Sequence, residues 1–136
     1  MNTILSPYLN FMGQTKAAMK FYQSVFGGNL KMQTFKEAGF PHDPKDDDKV
    51  IHASLEGKVS FMSSDGDDKH QVTMGNNINM SLMGDDEAEL TSYFNKLAEG
   101  GTVNMPLAKQ FWGDIYGQLT DKFGVHWMVN IAGKKQ

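Results

Sequence analysis

The stretch "FWGDIYGQLTDKFGVHW", Phe111 to Trp127, holds both tryptophans of the chain, three glycines, two aspartates and a histidine. Its residue types are rich enough for an active site, and its order is that of a sheet. Side chains of a strand alternate between two faces. Val125, Trp127, Val129 and Ile131 make one apolar face, and Phe111, Ile115 and Leu119 make another. The spacing predicts strands over 110–120 and 125–131, joined by a turn at Asp121–Gly124. Their apolar faces pack under a helix. Trp112, Asp114, Tyr116 and Gln118 of one strand, and His126, Met128 and Asn130 of the other, then point the opposite way.

Outward from this hairpin the chain reads as two similar halves. "TKAAMKFYQSVFGG" is an amphipathic helix, capped by Thr15, with Ala18, Phe21, Tyr22, Val25 and Phe26 on one face. "DDEAELTSYFNKLAEGG" is a second, capped by Asp85 or Asp86, with Leu90, Phe94 and Leu97 facing inward. Gly27-Gly28 and Gly100-Gly101 end them. Strands are expected at 4–11, 30–36, 50–56 and 59–64, then at 77–83, 102–107, 110–120 and 125–131. The order is βαβββ twice. Gly13 and Gly84 stand 71 positions apart, Phe21-Tyr22 and Tyr93-Phe94 stand 72 apart, and the glycine pairs stand 73 apart. Module one covers about 1–66 and module two about 76–132 of a single domain spanning 1–136, with a polar, turn-rich linker between them.

The fold class is α+β: two βαβββ modules forming a cupped mixed sheet with helices on the outer face. Such a cup is a natural small-molecule site. Alternation places Asn77, Asn79, Ser81 and Met83 inward, opposite Ile78, Met80 and Leu82. His52 and Ser54 oppose Ile51, Ala53 and Leu55. In the first strand Leu5, Pro7, Leu9 and Phe11 share a face. The expected cup lining is therefore Phe11, His52, Asn79, Trp112, Asp114, Tyr116, Gln118, His126 and Met128. This mixture of aromatic, neutral polar and thioether groups suits a small organic molecule better than ionic chemistry.

Composition narrows the classes. The chain has 136 residues, no cysteine and a net charge of −3. A disulfide framework, a cysteine-ligated zinc and a thiol nucleophile are excluded. No basic run invites nucleic acid, and no apolar run approaches a membrane span. The opening "MNTILSPYLNF" has no basic n-region and no small-residue cleavage site. The expectation is a soluble cytoplasmic protein with neither nucleic acid nor membrane as a partner.

Several words of the chain resemble the PhnB-like branch of the vicinal oxygen chelate superfamily, which includes glyoxalases, bleomycin-resistance proteins and extradiol dioxygenases. They are "PYLNFMG" (7–13), "AMKFYQSVFGG" (18–28), "VIHASLEG" (50–57), "FMSSD" (61–65) and "MPLAKQFWGDIYGQLTDKFGVHWMVNI" (105–131). The resemblance implies the paired modules and a homodimer. It also implies a divalent metal held by His, Gln or Glu from the first, fourth, fifth and eighth strands. Matched by motif, those positions fall at Pro7, near Met62 (with Ser63 and Ser64 beside it), at Asn79, and at Met128 or a neighbour. Proline offers no side-chain donor, an amide is a weak ligand, and a thioether suits soft metals. No cofactor is expected. A rebuilt metal site would draw on His52, His126 and Asp114. Members of this branch often carry a ubiquinone methyltransferase label, but a methyltransferase of the Rossmann type would need a glycine-rich turn opening a helix. The glycine pairs here end helices.

The remaining motifs have structural readings. "PHDPKDDDK" (41–49) lacks calcium-loop spacing and reads as a solvated loop, with a lid over the cup as the alternative. Asp65 and Asp121 read as capping or turn acids, and no G-x-S-x-G elbow occurs. Ten methionines read as soft core filler or as an adaptable binding surface. Three functions follow: a metal-free small-molecule binder, with drug sequestration as one version; a metal-dependent lyase, isomerase or dioxygenase with non-standard ligands; and an interaction module whose cup is filled.

Overall fold

The computed structural model describes residues 2–133. The chain divides between Thr73 and Met74 into two units. The first unit runs β1 (Tyr8–Phe11), α1 (Thr15–Phe26), β2 (Asn29–Thr34), α2 (Phe35–Ala38), a 3-10 turn (Pro44–Asp46), β3 (Val50–Glu56) and β4 (Phe61–Asp65). The second runs β5 (Met80–Gly84), α3 (Glu87–Ala98), β6 (Thr102–Lys109), β7 (Ile115–Thr120) and β8 (His126–Ile131). Each forms one four-stranded sheet, ordered β1-β4-β3-β2 and β5-β8-β7-β6. In both, the first strand pairs parallel with the last and the other pairings are antiparallel. The two halves thus repeat one α+β topology, as their sequence correspondence predicts.

One face of each sheet is closed by its helix. In the first unit Met19, Tyr22 and Phe26 of α1 are buried with Leu55 and Phe61. The Tyr22 ring meets the Phe61 ring edge-on at 5.4 Å. In the second, Leu90, Phe94 and Leu97 of α3 are buried, as are Leu119, Trp127, Val129 and Ile131 of the sheet. Each large apolar side chain so buried contributes roughly 1.5–3 kcal/mol. Gly117 leaves room for the Phe94 ring, because a Cβ there would lie 2.9 Å from Phe94 Cε2. Of the ten methionines Met19 is core filler; Met74 and Met83 are exposed, and Met62 and Met128 are half-buried.

The glycine pairs do more than end helices. Gly28 has φ +97°, and a Cβ there would sit 2.7 Å from the carbonyl oxygen of Glu56, at the end of β3. A Cβ on Gly101 would sit 2.3 Å from the carbonyl oxygen of Thr120, at the end of β7. In both halves the second glycine lets the segment after the helix press onto the end of the third strand.

Buried carboxylates tie the elements together. Asp65 Oδ1 accepts from the backbone N–H of Gly13 at 2.8 Å, the N–H of Thr15 at 3.1 Å and the Thr15 hydroxyl at 2.7 Å. Its Oδ2 accepts from Val50 N–H at 2.9 Å. The cap of α1 therefore comes from β4 and not from Thr15, since one carboxylate satisfies donors at the helix start that the helix leaves open. Asp86 caps α3 through Glu89 N–H. Asp121 accepts from Phe123 and Val125 N–H, and from Trp127 Nε1 at 2.9 Å. Both acids are structural, as their turn positions suggest.

Other boundaries differ from expectation. The strand expected over 4–11 begins at Tyr8, leaving Leu5 99% exposed. The one expected over 77–83 begins at Met80, so Ile78 lies outside it and is exposed. The strand expected over 30–36 stops at Thr34, where Thr34 and Glu37 form a reciprocal capping box and open α2. The strand expected over 110–120 begins at Ile115. Gly113 at φ +96° breaks the extended run, and Gln110 N–H closes a turn onto the Asp114 carbonyl at 2.8 Å. Phe111, expected under a helix, is 97% exposed.

The acidic loop 41–49 is packed, not uniformly solvated. Asp46 is buried and accepts from Lys49 Nζ at 3.0 Å. His42 Nδ1 faces the Phe40 carbonyl, and its Nε2 lies 2.7 Å from Asp47 Oδ1.

Candidate functional site

With one face of each sheet under a helix, chemistry is left to the other. In the second unit that face is carried by β7 and β8, whose register pairs Tyr116 with Asn130, Gln118 with Met128, and Thr120 with His126. All six are half-buried, while Gly117, Leu119, Trp127, Val129 and Ile131 between them are buried. The alternation expected of the opening stretch therefore holds over both strands, and it delivers Tyr116, Gln118, His126 and Met128 to one surface.

These side chains are bonded to one another in three groups. Gln118 Nε2 donates to the Tyr116 phenol oxygen at 2.8 Å, and the phenol points its proton at the Met128 sulfur, 3.7 Å away. Thr120 donates its hydroxyl proton to Asn104 Oδ1 at 2.9 Å. Its oxygen lies 2.9 Å from His126 Nδ1. A hydroxyl has one proton, so Nδ1–H of His126 is the donor in that contact. The neutral ring then keeps Nε2 as a free acceptor. Asn130 Nδ2 donates to Asp114 Oδ2 at 2.9 Å and Gly133 N–H donates to Asp114 Oδ1 at 2.8 Å. The Asn130 bond first, and the Gly133 bond second, hold the Asp114 carboxyl below its ordinary range. Trp112 lies beside this face, half exposed, with its ring 6.0 Å from that of Tyr116.

In the first unit the face away from α1 carries Tyr8, Asn10, His52, Ser54, Met62 and Ser64, by the β1–β4 and β3–β4 registers. Tyr8 OH stands 3.4 Å from His52 Nδ1, and Ser64 donates to Asn10 Oδ1 at 3.3 Å. Phe11 does not belong to this surface. It pairs with Asp65, whose side chain faces the helix start, and is only 2% exposed. Its expected place among the lining residues is withdrawn, because alternation within β1 turns Asn10 outward and Phe11 into the core. Asn79 lies just before β5 and is exposed. The signal for Asn104 and Thr120, which sequence reasoning passed over, was their position beside an inward histidine on a paired strand.

The superfamily's metal does not fit the residues present. The first unit offers Pro7, whose carbonyl is engaged by Met62 N–H at 3.1 Å, and the Met62 thioether. The second offers the Asn79 amide and the Met128 thioether, which faces a phenol. A hard or borderline divalent ion finds too few suitable donors in such a set. Among the described residues no three His, Cys, Asp or Glu side chains gather as a metal site. Within the second unit His126 bonds Thr120 at the start of β8, and Asp114 bonds Asn130 near its end.

Comparison with known proteins agrees with this architecture. A structure of a glyoxalase/bleomycin resistance protein/dioxygenase family enzyme from Burkholderia phytofirmans PsJN superposes with a TM-score of 0.61 at 18% identity, covering 92% of this chain and 96% of that one. This likeness shows the fold alone. Protein PA1353 from Pseudomonas aeruginosa is 38% identical, with a TM-score of 0.84 over 98% of this chain and all of that one. A PhnB protein from Bacillus cereus is 28% identical, with a TM-score of 0.78 over 96% and 100% of the two chains. The fold class is that of the glyoxalase/bleomycin-resistance proteins. Residues 3–130 match the family described as 3-demethylubiquinone-9 3-methyltransferase, and the Bacillus cereus PhnB protein carries the same description. The chain belongs to this PhnB-like family. No helix among the described residues is long and apolar enough to cross a membrane.

Proposed function

We propose that the chain binds a small, mostly neutral organic molecule against the open face of β7 and β8, without a superfamily-type metal. The observation that supports this most is the bonded row Gln118–Tyr116–Met128 beside Thr120–His126. Pre-oriented polar groups on a rigid sheet, with aromatic surface beside them, fix a ligand at low entropic cost. Trp112 and Tyr116 supply apolar area, Gln118 and His126 Nε2 orient polar edges, and Asp114 accepts at the rim. Asn79 remains a candidate contact there, and His52 remains one on the first unit's own open face. A homodimer and a cytoplasmic setting go with this reading.

Methyl transfer, which the family description names, is not part of the reading. Each sheet has one parallel pair and two antiparallel pairs. Its glycine pairs follow helices, whereas a dinucleotide-type fold places glycines before them. The test is a thermal-shift screen of neutral drug-sized organics, followed by calorimetric titration of the best hit into wild type and Tyr116→Phe/Gln118→Ala. A hit weakened at least tenfold by the double change supports the site. A hit that binds only with added divalent metal favours the metal-dependent lyase, isomerase or dioxygenase reading. No hit favours an interaction module.

A further inference from the structure

The first unit holds a groove of about 560 Å³, within the range of small-molecule sites. It opens where the parallel strands β1 and β4 end. Asn10 and Ser64 line one side. They are register neighbours, and the Ser64 hydroxyl occupies Asn10 Oδ1. Phe35 and Phe40 line another, with ring centroids 5.5 Å apart. Phe40 is held from behind: Phe35 is buried under it, and His42 Nδ1 bonds its carbonyl. The third side is the turn Asp67–His70.

That turn presents a carboxylate oxygen. Asp67 Oδ1 accepts from Lys69 N–H at 2.9 Å, His70 N–H at 2.8 Å and His70 Nδ1 at 2.8 Å. Its Oδ2 makes no bond among the described residues. The His70 bond is the leading cause holding the Asp67 carboxyl below its ordinary range. Gly66 makes the turn possible, because a Cβ there would fall 2.1 Å from the His70 carbonyl oxygen. The lining residues include Asp67 and one imidazole, with no lysine or arginine; the Asp65 carboxylate is taken up by Gly13, Thr15 and Val50.

We infer that this groove is a binding site for a planar heteroaromatic cation, which stacks on Phe40 and directs its positive edge to Asp67 Oδ2. An aromatic face attracts a cation, and an unpaired carboxylate oxygen reinforces that sign. An anion meets the Asp67 carboxylate there and is disfavoured. The inference is independent of the ligand proposed for β7 and β8.

The test is a backbone amide NMR titration of the full chain with three flat probes of matched size: 1-methylquinolinium, 1-methylnaphthalene and naphthalene-1-sulfonate. The expected result is saturable shifts at Asn10, Phe40, Ser64, Gly66 and Gln71 for the cation, which binds three- to tenfold more tightly than the neutral probe. Phe40→Ala weakens the cation severalfold. Asp67→Asn keeps the turn-accepting Oδ1 and removes the preference for charge. Tight binding of the sulfonate, indifference to Phe40→Ala, or no shift with any probe overturns the inference. Cation shifts confined to 116–130 also overturn it, while leaving the site on β7 and β8 standing.

Discussion

Gln118 Nε2 donates to the phenol oxygen of Tyr116 at 2.8 Å, two residues away on the same face of β7. The bond sets the direction of the phenol proton, toward Met128. Tyr116→Phe removes the acceptor and leaves the apolar ring. The change should leave the fold cooperative, with stability within about 1 kcal/mol of wild type, and should weaken an organic ligand by five- to tenfold. Chemical denaturation and calorimetric titration read the two effects separately.

Gly28→Ala tests the close approach behind the helix. The substitution places a Cβ at φ +97°, 2.7 Å from a backbone oxygen that belongs to β3. Left-handed strain costs about 1–2 kcal/mol, and the steric conflict adds to it. We expect a loss of about 3 kcal/mol in urea denaturation. Gly27→Ala, at φ +72° with nothing within 4 Å, should lose only the strain part.

Asp65→Asn replaces a carboxylate that serves four donors. Whichever way the amide turns, its NH₂ faces an N–H group. A buried donor left without an acceptor costs about 1–3 kcal/mol, so a loss of that order is expected. Hydrogen exchange should quicken at Gly13, Thr15 and Val50 before the centre of the sheet.

His42 gives a pH dependence with a definite sign. Its Nδ1 bond to the Phe40 carbonyl and its Nε2 contact with Asp47 both need a proton on the ring nitrogen, and both exist together only in the imidazolium. The Phe40 bond, and then Asp47, raise its pKa above 6.5. A raised folded value means the stabilisation is full below pH 6.5 and disappears as pH rises through the folded pKa. NMR titration of the ring should place the midpoint above 6.5, and His42→Gln should flatten that part of the stability profile.

Tyr93 donates to Glu89 Oε1 at 2.6 Å on α3. This bond, with burial second, pushes its pKa up to about 12. A difference ultraviolet titration of wild type against Tyr93→Phe should show one phenol ionising near that value, well above the ordinary 10. Glu89→Gln should bring it down.

Much of this was legible in the chain. Val125, Trp127, Val129 and Ile131 alternate without interruption, so β8 and its polar face could be read directly, and the paired glycines exposed the repeat. Three features escaped. Phe11 ends a four-residue strand, "YLNF", too short for periodicity to choose a face. Alternation counted through Gly113 misplaces Phe111, because positive φ at that glycine ends the extended run. Thr34-Phe35-Lys36-Glu37 is a capping box inside an apolar alternation, and the local hydrogen bonds prevailed over the strand pattern. The capping role of Asp65 could be read from its place at a strand end, but its particular partners stand 15 to 52 residues away, with no local signal to name them.

The most direct test of the account is native mass spectrometry of untagged protein purified without chelator. We expect no stoichiometric divalent metal, and an added organic mass that disappears in Tyr116→Phe/Gln118→Ala. A near-stoichiometric zinc, nickel, manganese or iron ion that survives desalting would contradict it.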